Sequence, residues 1–144
     1  MRSLWFVGLA AFATFGCRES TAPASAGDVT LTLALSATNV RRLVDDTITM
    51  TVRNIGPRRV TLTGGVCEPR AQVVNSSGEI VEPPGGETPC VRSLRRLELA
   101  PGQAFERSLV WNTASVPAGI YRVSASFVSE EVQLVTGPVA VELN

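Results

Sequence analysis

Val29-Thr30-Leu31-Thr32-Leu33-Ala34-Leu35 places valine and three leucines on odd positions, with threonine and alanine between them. A period of two dressed with β-branched residues is the pattern of a strand with one buried face. Working outward, Ile48, Met50 and Val52 alternate within residues 47–54, and Val60 and Leu62 alternate within 60–63. Asn54-Ile55-Gly56-Pro57 makes the turn between those two. Residues 71–74 and 79–81 flank Asn75-Ser76-Ser77-Gly78, a polar, glycine-ended hairpin loop. Residues 92–99 supply a further strand. After the Ala100-Pro101-Gly102-Gln103 turn, Phe105, Leu109 and Trp111 fall on one side of the next. Pro117-Ala118-Gly119 then leads into Tyr121, Val123, Ala125 and Phe127, and residues 132–143 close the chain around Gly137-Pro138. The expected fold is all-β: an immunoglobulin-like Greek-key sandwich of about seven or eight strands over residues 28–144. A small barrel satisfies the same alternation and is the runner-up.

The residues ahead of this domain read as an address. Met1-Arg2-Ser3 gives a positive start, and residues 4–15 are an uncharged, mostly apolar run. A membrane-spanning helix needs about 20 apolar residues, so this shorter run reads as a secretory signal peptide over residues 1–16. Residues 18–27 are small, polar and proline-containing, the composition of a flexible tether. Thr14-Phe15-Gly16-Cys17 resembles the bacterial lipobox, in which a small residue precedes the cysteine that takes the lipid. The resemblance implies that Cys17 carries diacylglycerol and palmitate, so that residues 17–27 form a lipidated tether whose partner is the bilayer. Arg18 in place of an aspartate implies, by the same resemblance, an outer-membrane destination.

Composition narrows the chemistry. The 144 residues carry 13 basic and 13 acidic side chains, the basic ones all arginine, with no histidine. Zero net charge gathers no nucleic acid, so none is expected as a partner. Without histidine or lysine there is no Ser/His/Asp or Cys/His couple, no imidazole ligand, no Schiff-base amine and no P-loop lysine. Catalytic, cofactor and metal sites are accordingly expected to be absent, leaving paired carboxylates as the one route to an enzyme.

Several turns carry a family likeness. The run from Ile48 through Val52-Arg53-Asn54-Ile55-Gly56-Pro57 to Val60-Thr61-Leu62 comes first. Leu97-Glu98-Leu99-Ala100-Pro101-Gly102-Gln103 follows, then Ser108-Leu109-Val110-Trp111-Asn112 and Val116-Pro117-Ala118-Gly119-Ile120-Tyr121. Together they resemble the BsuPI-type intracellular proteinase inhibitor domain over most of residues 28–128. The resemblance implies an immunoglobulin-like domain and, through the family's name, proteinase inhibition. The chain departs from that pattern in its export signal and in a cysteine-bearing excursion.

With Cys17 assigned to the lipid, Cys67 and Cys90 remain, and export places them where disulfides form. They are expected to pair and to tie down Glu82-Pro83-Pro84-Gly85-Gly86-Glu87. No C-x-x-C spacing suggests redox work. Glu68, Glu79, Glu82 and Glu87 match no calcium loop and read as surface acids. Asp45-Asp46 and Glu130-Glu131 are adjacent pairs whose members point to opposite faces of a strand, so both read as solvated loop ends. Arg41-Arg42, Arg58-Arg59 and Arg95-Arg96 read as exposed edges, and Trp111 and Tyr121 as core. The function expected is a non-enzymatic envelope lipoprotein that binds an exported or envelope protein. The alternatives are a proteinase inhibitor, a structural spacer and, less favoured, a carboxylate hydrolase.

Overall fold

The structure, a computed structural model, describes residues 24–87 and 90–144. The segment read as a signal peptide, residues 1–16, and Cys17 lie outside the described residues.

Alternation becomes two stacked sheets. In the first, β1 (Ala24–Ala26), β2 (Val29–Leu35), β4 (Asp46–Asn54) and β9 (Ala104–Trp111) pair antiparallel in the order β1-β2-β4-β9. The second has the order β3 (Asn39–Val40), β12 (Val139–Leu143), β10 (Gly119–Val128), β6 (Arg70–Val74) and β7 (Ile80–Glu82), with β11 (Gln133–Val135) also on β10. A separate antiparallel pair joins β5 (Val60–Gly65) to β8 (Leu94–Leu99). The chain passes between the two sheets from β2 to β3, from β3 to β4 and from β9 to β10, and reaches β6 from β4 by way of β5, which makes this the Greek-key, immunoglobulin-like sandwich expected. The strands number twelve among the described residues because several are only two or three residues long.

The residues facing the gap are those the period selects. Leu31, Leu33, Leu35, Ile48, Met50 and Val52 from the first sheet meet Val73, Val123, Ala125, Phe127, Val141 and Leu143 from the second, all buried. Each such aliphatic side chain contributes about 1.5–3 kcal/mol on leaving water. Trp111, fully buried at the end of β9, packs edge to face on Tyr121 with centroids 5.4 Å apart. The Tyr121 hydroxyl donates to the carbonyl of Pro117 at 2.6 Å. This is the tyrosine corner of immunoglobulin-like domains, set where the chain crosses between sheets.

Other crossings are closed by side chains. Buried Asn54 donates through Nδ2 to the carbonyls of Arg58 and Leu99, and its Oδ1 accepts from the Gly56 amide. Where Gly137-Pro138 interrupts the last strand, buried Thr136 repairs the ladder: its amide donates to the Ala125 carbonyl, and its Oγ1 accepts from the Ala125 amide. The β5–β8 pair is fastened by a bridge from Gly64 to Ser129 and by the Glu130 amide donating to the Thr63 carbonyl at 2.8 Å. A Cβ at Gly64 would come within 2.7 Å of the Val128 carbonyl, so only glycine allows this approach.

One expectation is corrected. The segment read as tether ends in a strand, because Ala24–Ala26 pairs with Val29–Leu31 through a turn at Gly27 (φ +56°). Small residues suffice there, since backbone hydrogen bonds hold the strand. Among the described residues the strands and the core fall within 24–143, which together make a closed sandwich.

Removing the corner hydroxyl by Tyr121→Phe leaves a carbonyl short of its donor and should cost about 1–2 kcal/mol. Urea denaturation should show a lower midpoint with an unchanged m-value.

Candidate functional site

Cys67 and Cys90 form a disulfide with Cα atoms 6.0 Å apart. Cys67 follows β5 and Cys90 precedes β8, so the bond continues that pair beyond its last rung, next to the Val66 amide donating to the Ser93 carbonyl. The covalent loop therefore encircles the β6–β7 hairpin and ties it to β5–β8. Residues 88 and 89 lie outside the described residues.

Around this bond the surface is hollowed three times. A cleft of about 410 Å³ is lined by Glu68, Arg70, Gln72, Pro83, Glu87 and Ser126 among others. A smaller, apolar hollow of about 170 Å³ opens between the sheets, where Met50 and Leu109 face Ala71, Pro83 and Pro84. A third, of about 380 Å³, lies beside Cys90, Val91, Arg92 and Leu94. Arg70 lines all three. Its Nε sits 2.8 Å from Glu68 Oε1, while Glu68 Oε2 accepts from the Val128 amide at 3.1 Å. Glu68 is 7% exposed, so the pair is fixed rather than a mobile surface contact.

Beside these hollows Val91 and Leu94 are 74% and 71% exposed, next to Arg92, Arg95 and Arg96. Arg95 lies over the Phe105 ring, its guanidinium carbon 4.1 Å from the centroid. Arg96 and Arg59 both reach Glu98, at 3.4 and 3.8 Å. On β8, Leu94 and Arg96 share the outer side and Arg95 turns to the other, so exposed Val91 and Leu94 have Arg92 and the Glu98-paired Arg96 for neighbours. Burial pushes the Glu82 carboxyl above its ordinary 4.5, on the strand leading into the loop.

The remaining candidates are dispersed. One arginine of each of two pairs, Arg59 and Arg96, meets Glu98, whereas Arg41-Arg42 precedes the Asp46 end of β4, where β4 pairs with Trp111. Glu79 accepts from the Asn75 side chain inside its hairpin turn. Glu131 accepts from the Thr63 amide at 2.8 Å, and that bond holds its carboxyl below the usual range. Trp111 and Tyr121 are core, as expected.

Two readings are corrected. Glu68 is a buried ion-pair partner and not a surface acid; it lies just ahead of β6, and its burial comes from tertiary partners, Arg70 and the Val128 amide. Asp46 is 1% exposed and not a solvated loop end. Its Oδ1 accepts from the Ser36 hydroxyl and the Ala37 amide, which clamps the chain between β2 and β4. Its Oδ2 and the Nε1 of Trp111, its partner across the ladder, are both buried without a hydrogen-bond partner among the described residues. Asp45 is exposed, so these two carboxylates do not converge.

No family model matches the chain, and no curated protein matches it. Among solved structures, a β-glucosidase from Listeria innocua in complex with gluconolactone is similar at a TM-score of 0.50 and 11% identity, over 81% of this chain. The β-glucosidase EmGH1 from Erythrobacter marinus gives 0.49 and 12%, over 84%. The chain spans 16% of the length of each. The first likeness supports the sandwich fold and nothing about activity.

Two outcomes follow for this face. Replacing both Cys67 and Cys90 by serine opens a link of 23 residues' separation and should cost about 3 kcal/mol by denaturant titration. Glu82→Gln tests the raised carboxyl. A folded-state value above the unfolded one favours folding below 4.5 and loses that contribution as pH rises through it. The variant should therefore gain stability over the parent toward neutral pH and lose the advantage below 4.5, in melting temperatures taken across that range.

Proposed function

We propose that this chain is an exported, lipid-anchored envelope protein without catalytic activity, and that its disulfide face binds an extended segment of another envelope protein. One observation carries the reading: three hollows converge on Arg70 beside exposed Val91 and Leu94. Large apolar side chains left this open cost solubility, and an apolar centre with a polar rim is the anatomy of a protein interface. Arg92 and Arg96 favour a partner with acidic groups flanking its apolar contacts. The Cys67–Cys90 bond and Pro83-Pro84 restrict the chain on either side of the loop, which lowers the ordering cost of binding. The lipobox likeness at Cys17 supports the anchor.

A proteinase inhibitor is the specific version of this reading, supported by the BsuPI-type likeness and by the braced, proline-bearing loop. In that version a proteinase's substrate groove receives the loop between Glu82 and Cys90.

The test uses the full chain expressed with its own signal in a bacterial host. A photo-crosslinking residue at Leu94 should yield a discrete adduct with an envelope protein, whereas one at Val110, on the outer face of β9, should not. Leu94→Asp should abolish co-purification of that partner, and Cys17→Ala should release the protein from the membrane fraction. Equal labelling from both positions defeats the binding face, and retention of the Cys17→Ala protein in membranes defeats the anchor. An exported proteinase left fully active by micromolar protein removes the inhibitor version.

A further inference from the structure

The end of the sandwich away from the disulfide carries a second device. Between β3 and β4 the chain forms the loop Arg41-Arg42-Leu43-Val44-Asp45, in which Leu43 is 75% exposed and Val44 54%. This loop is held firmly. The Arg42 amide donates to the Asn144 carbonyl at 2.7 Å, the Val44 amide donates to the Arg41 carbonyl, and the Val44 carbonyl accepts from the Thr113 hydroxyl at 3.0 Å. Buried Asp46 fixes its far side through Ser36 and Ala37. Leu43 has φ +70°, a left-handed conformation that is uncommon for leucine. A rigid scaffold thus spends backbone strain to hold an apolar side chain in water, an arrangement that marks contact sites.

Its surroundings extend the pattern. Val110 and Ile120 are 57% and 62% exposed and lie one residue in from the same end, on the outer faces of their sheets. Arg41 and Arg42 sit beside Leu43, and Asp45 is the single acid within the loop.

The tether comes from the same side. The first strand runs antiparallel to β2, from Ala24 opposite Leu31 to Ala26 opposite Val29. The chain therefore enters it from the direction of Leu35, the end that bears the 41–45 loop. Cys17 precedes Ala24 by seven positions, a reach of at most about 25 Å. Leu35 lies four residues beyond Leu31, about 13 Å along the strand. A lipid on Cys17 thus keeps this loop within reach of the bilayer.

We propose that the 41–45 loop is a second membrane contact, with Leu43 and Val44 entering the interface of an anionic bilayer while Arg41 and Arg42 bind its phosphate headgroups. This rests on the lipid-anchored reading, because the tether supplies the local concentration, on the order of millimolar, that lets so small a contact operate. Basic residues next to apolar ones suit an anionic surface, where arginine meets phosphate and the apolar side chains leave water. Docked this way, the domain presents the disulfide face away from the membrane.

The test supplies the anchor chemically. With Cys67 and Cys90 bonded, Cys17 is the free thiol of a fragment spanning residues 17–144, and it couples to a maleimide lipid in vesicles. Leu43→Trp then reports the loop against the constant signal of buried Trp111. On phosphatidylcholine vesicles containing phosphatidylglycerol its emission should shift to shorter wavelength and lose most of its quenching by iodide. Phosphatidylcholine alone should give a smaller change, and Arg41→Glu with Arg42→Glu should abolish it. A Val91→Trp reporter, on the disulfide face, should stay exposed throughout. Unchanged Leu43→Trp emission, equal shifts on both vesicles, or protection of Val91→Trp overturns the proposal. Chemical coupling bypasses cellular lipidation, so such a failure leaves the lipoprotein reading standing, and Cys17→Ala fractionation judges that reading separately.

Discussion

Trp111 and Tyr121 meet edge to face where the chain leaves one sheet for the other, and the architecture is arranged about that contact. The indole fills the end of the gap between the sheets. The phenol reaches back to the Pro117 carbonyl and sets the angle at which β10 begins. From there the buried positions of both sheets fall into step, because a strand's side chains alternate and one residue of slip would turn its apolar set to water. Asn54 does the same work at the opposite end of the first sheet, through three hydrogen bonds made by one buried side chain.

With the sandwich closed by these polar pins, its periphery is free to carry other chemistry. The Cys67–Cys90 bond joins the β5–β8 pair to the segment that carries the β6–β7 hairpin, both of which also reach the core, through Leu62 and Leu99 on one and Ala71 and Val73 on the other. Arg70 and Glu68 sit at their junction. A pair of which only the carboxylate is buried adds less to stability than to geometry, because its arginine still meets water. What it secures is the position of one guanidinium facing three hollows at once.

The long strands were legible in the sequence because period two is a local property, visible in Val29 to Leu35 without knowledge of any partner. The disulfide was legible by elimination once Cys17 had been set aside. Other features were not, for distinct physical reasons. Ala24–Ala26 shows no apolar alternation and is a strand only because β2 offers an edge. Asn39–Val40 pairs in parallel with Glu142–Leu143, about a hundred residues away, and two residues carry no period. The burial of Asp46 and Glu68 depends on tertiary neighbours, Ser36 for one and Arg70 with Val128 for the other. The tyrosine corner left a trace in the Pro117-Ala118-Gly119 turn ahead of Tyr121, but the hydroxyl's partner emerged only from the folded chain.

The contact at Gly64 bears on ancestry. Its backbone presses so closely on the Val128 carbonyl that no side chain fits between them, whereas the apolar core positions tolerate exchange among residues of similar bulk. A chain that replaces Gly64 must seat β5–β8 elsewhere. Shared glycine at that rung is therefore a sharper marker of kinship than overall identity, which in sandwiches of this kind decays long before the shape does.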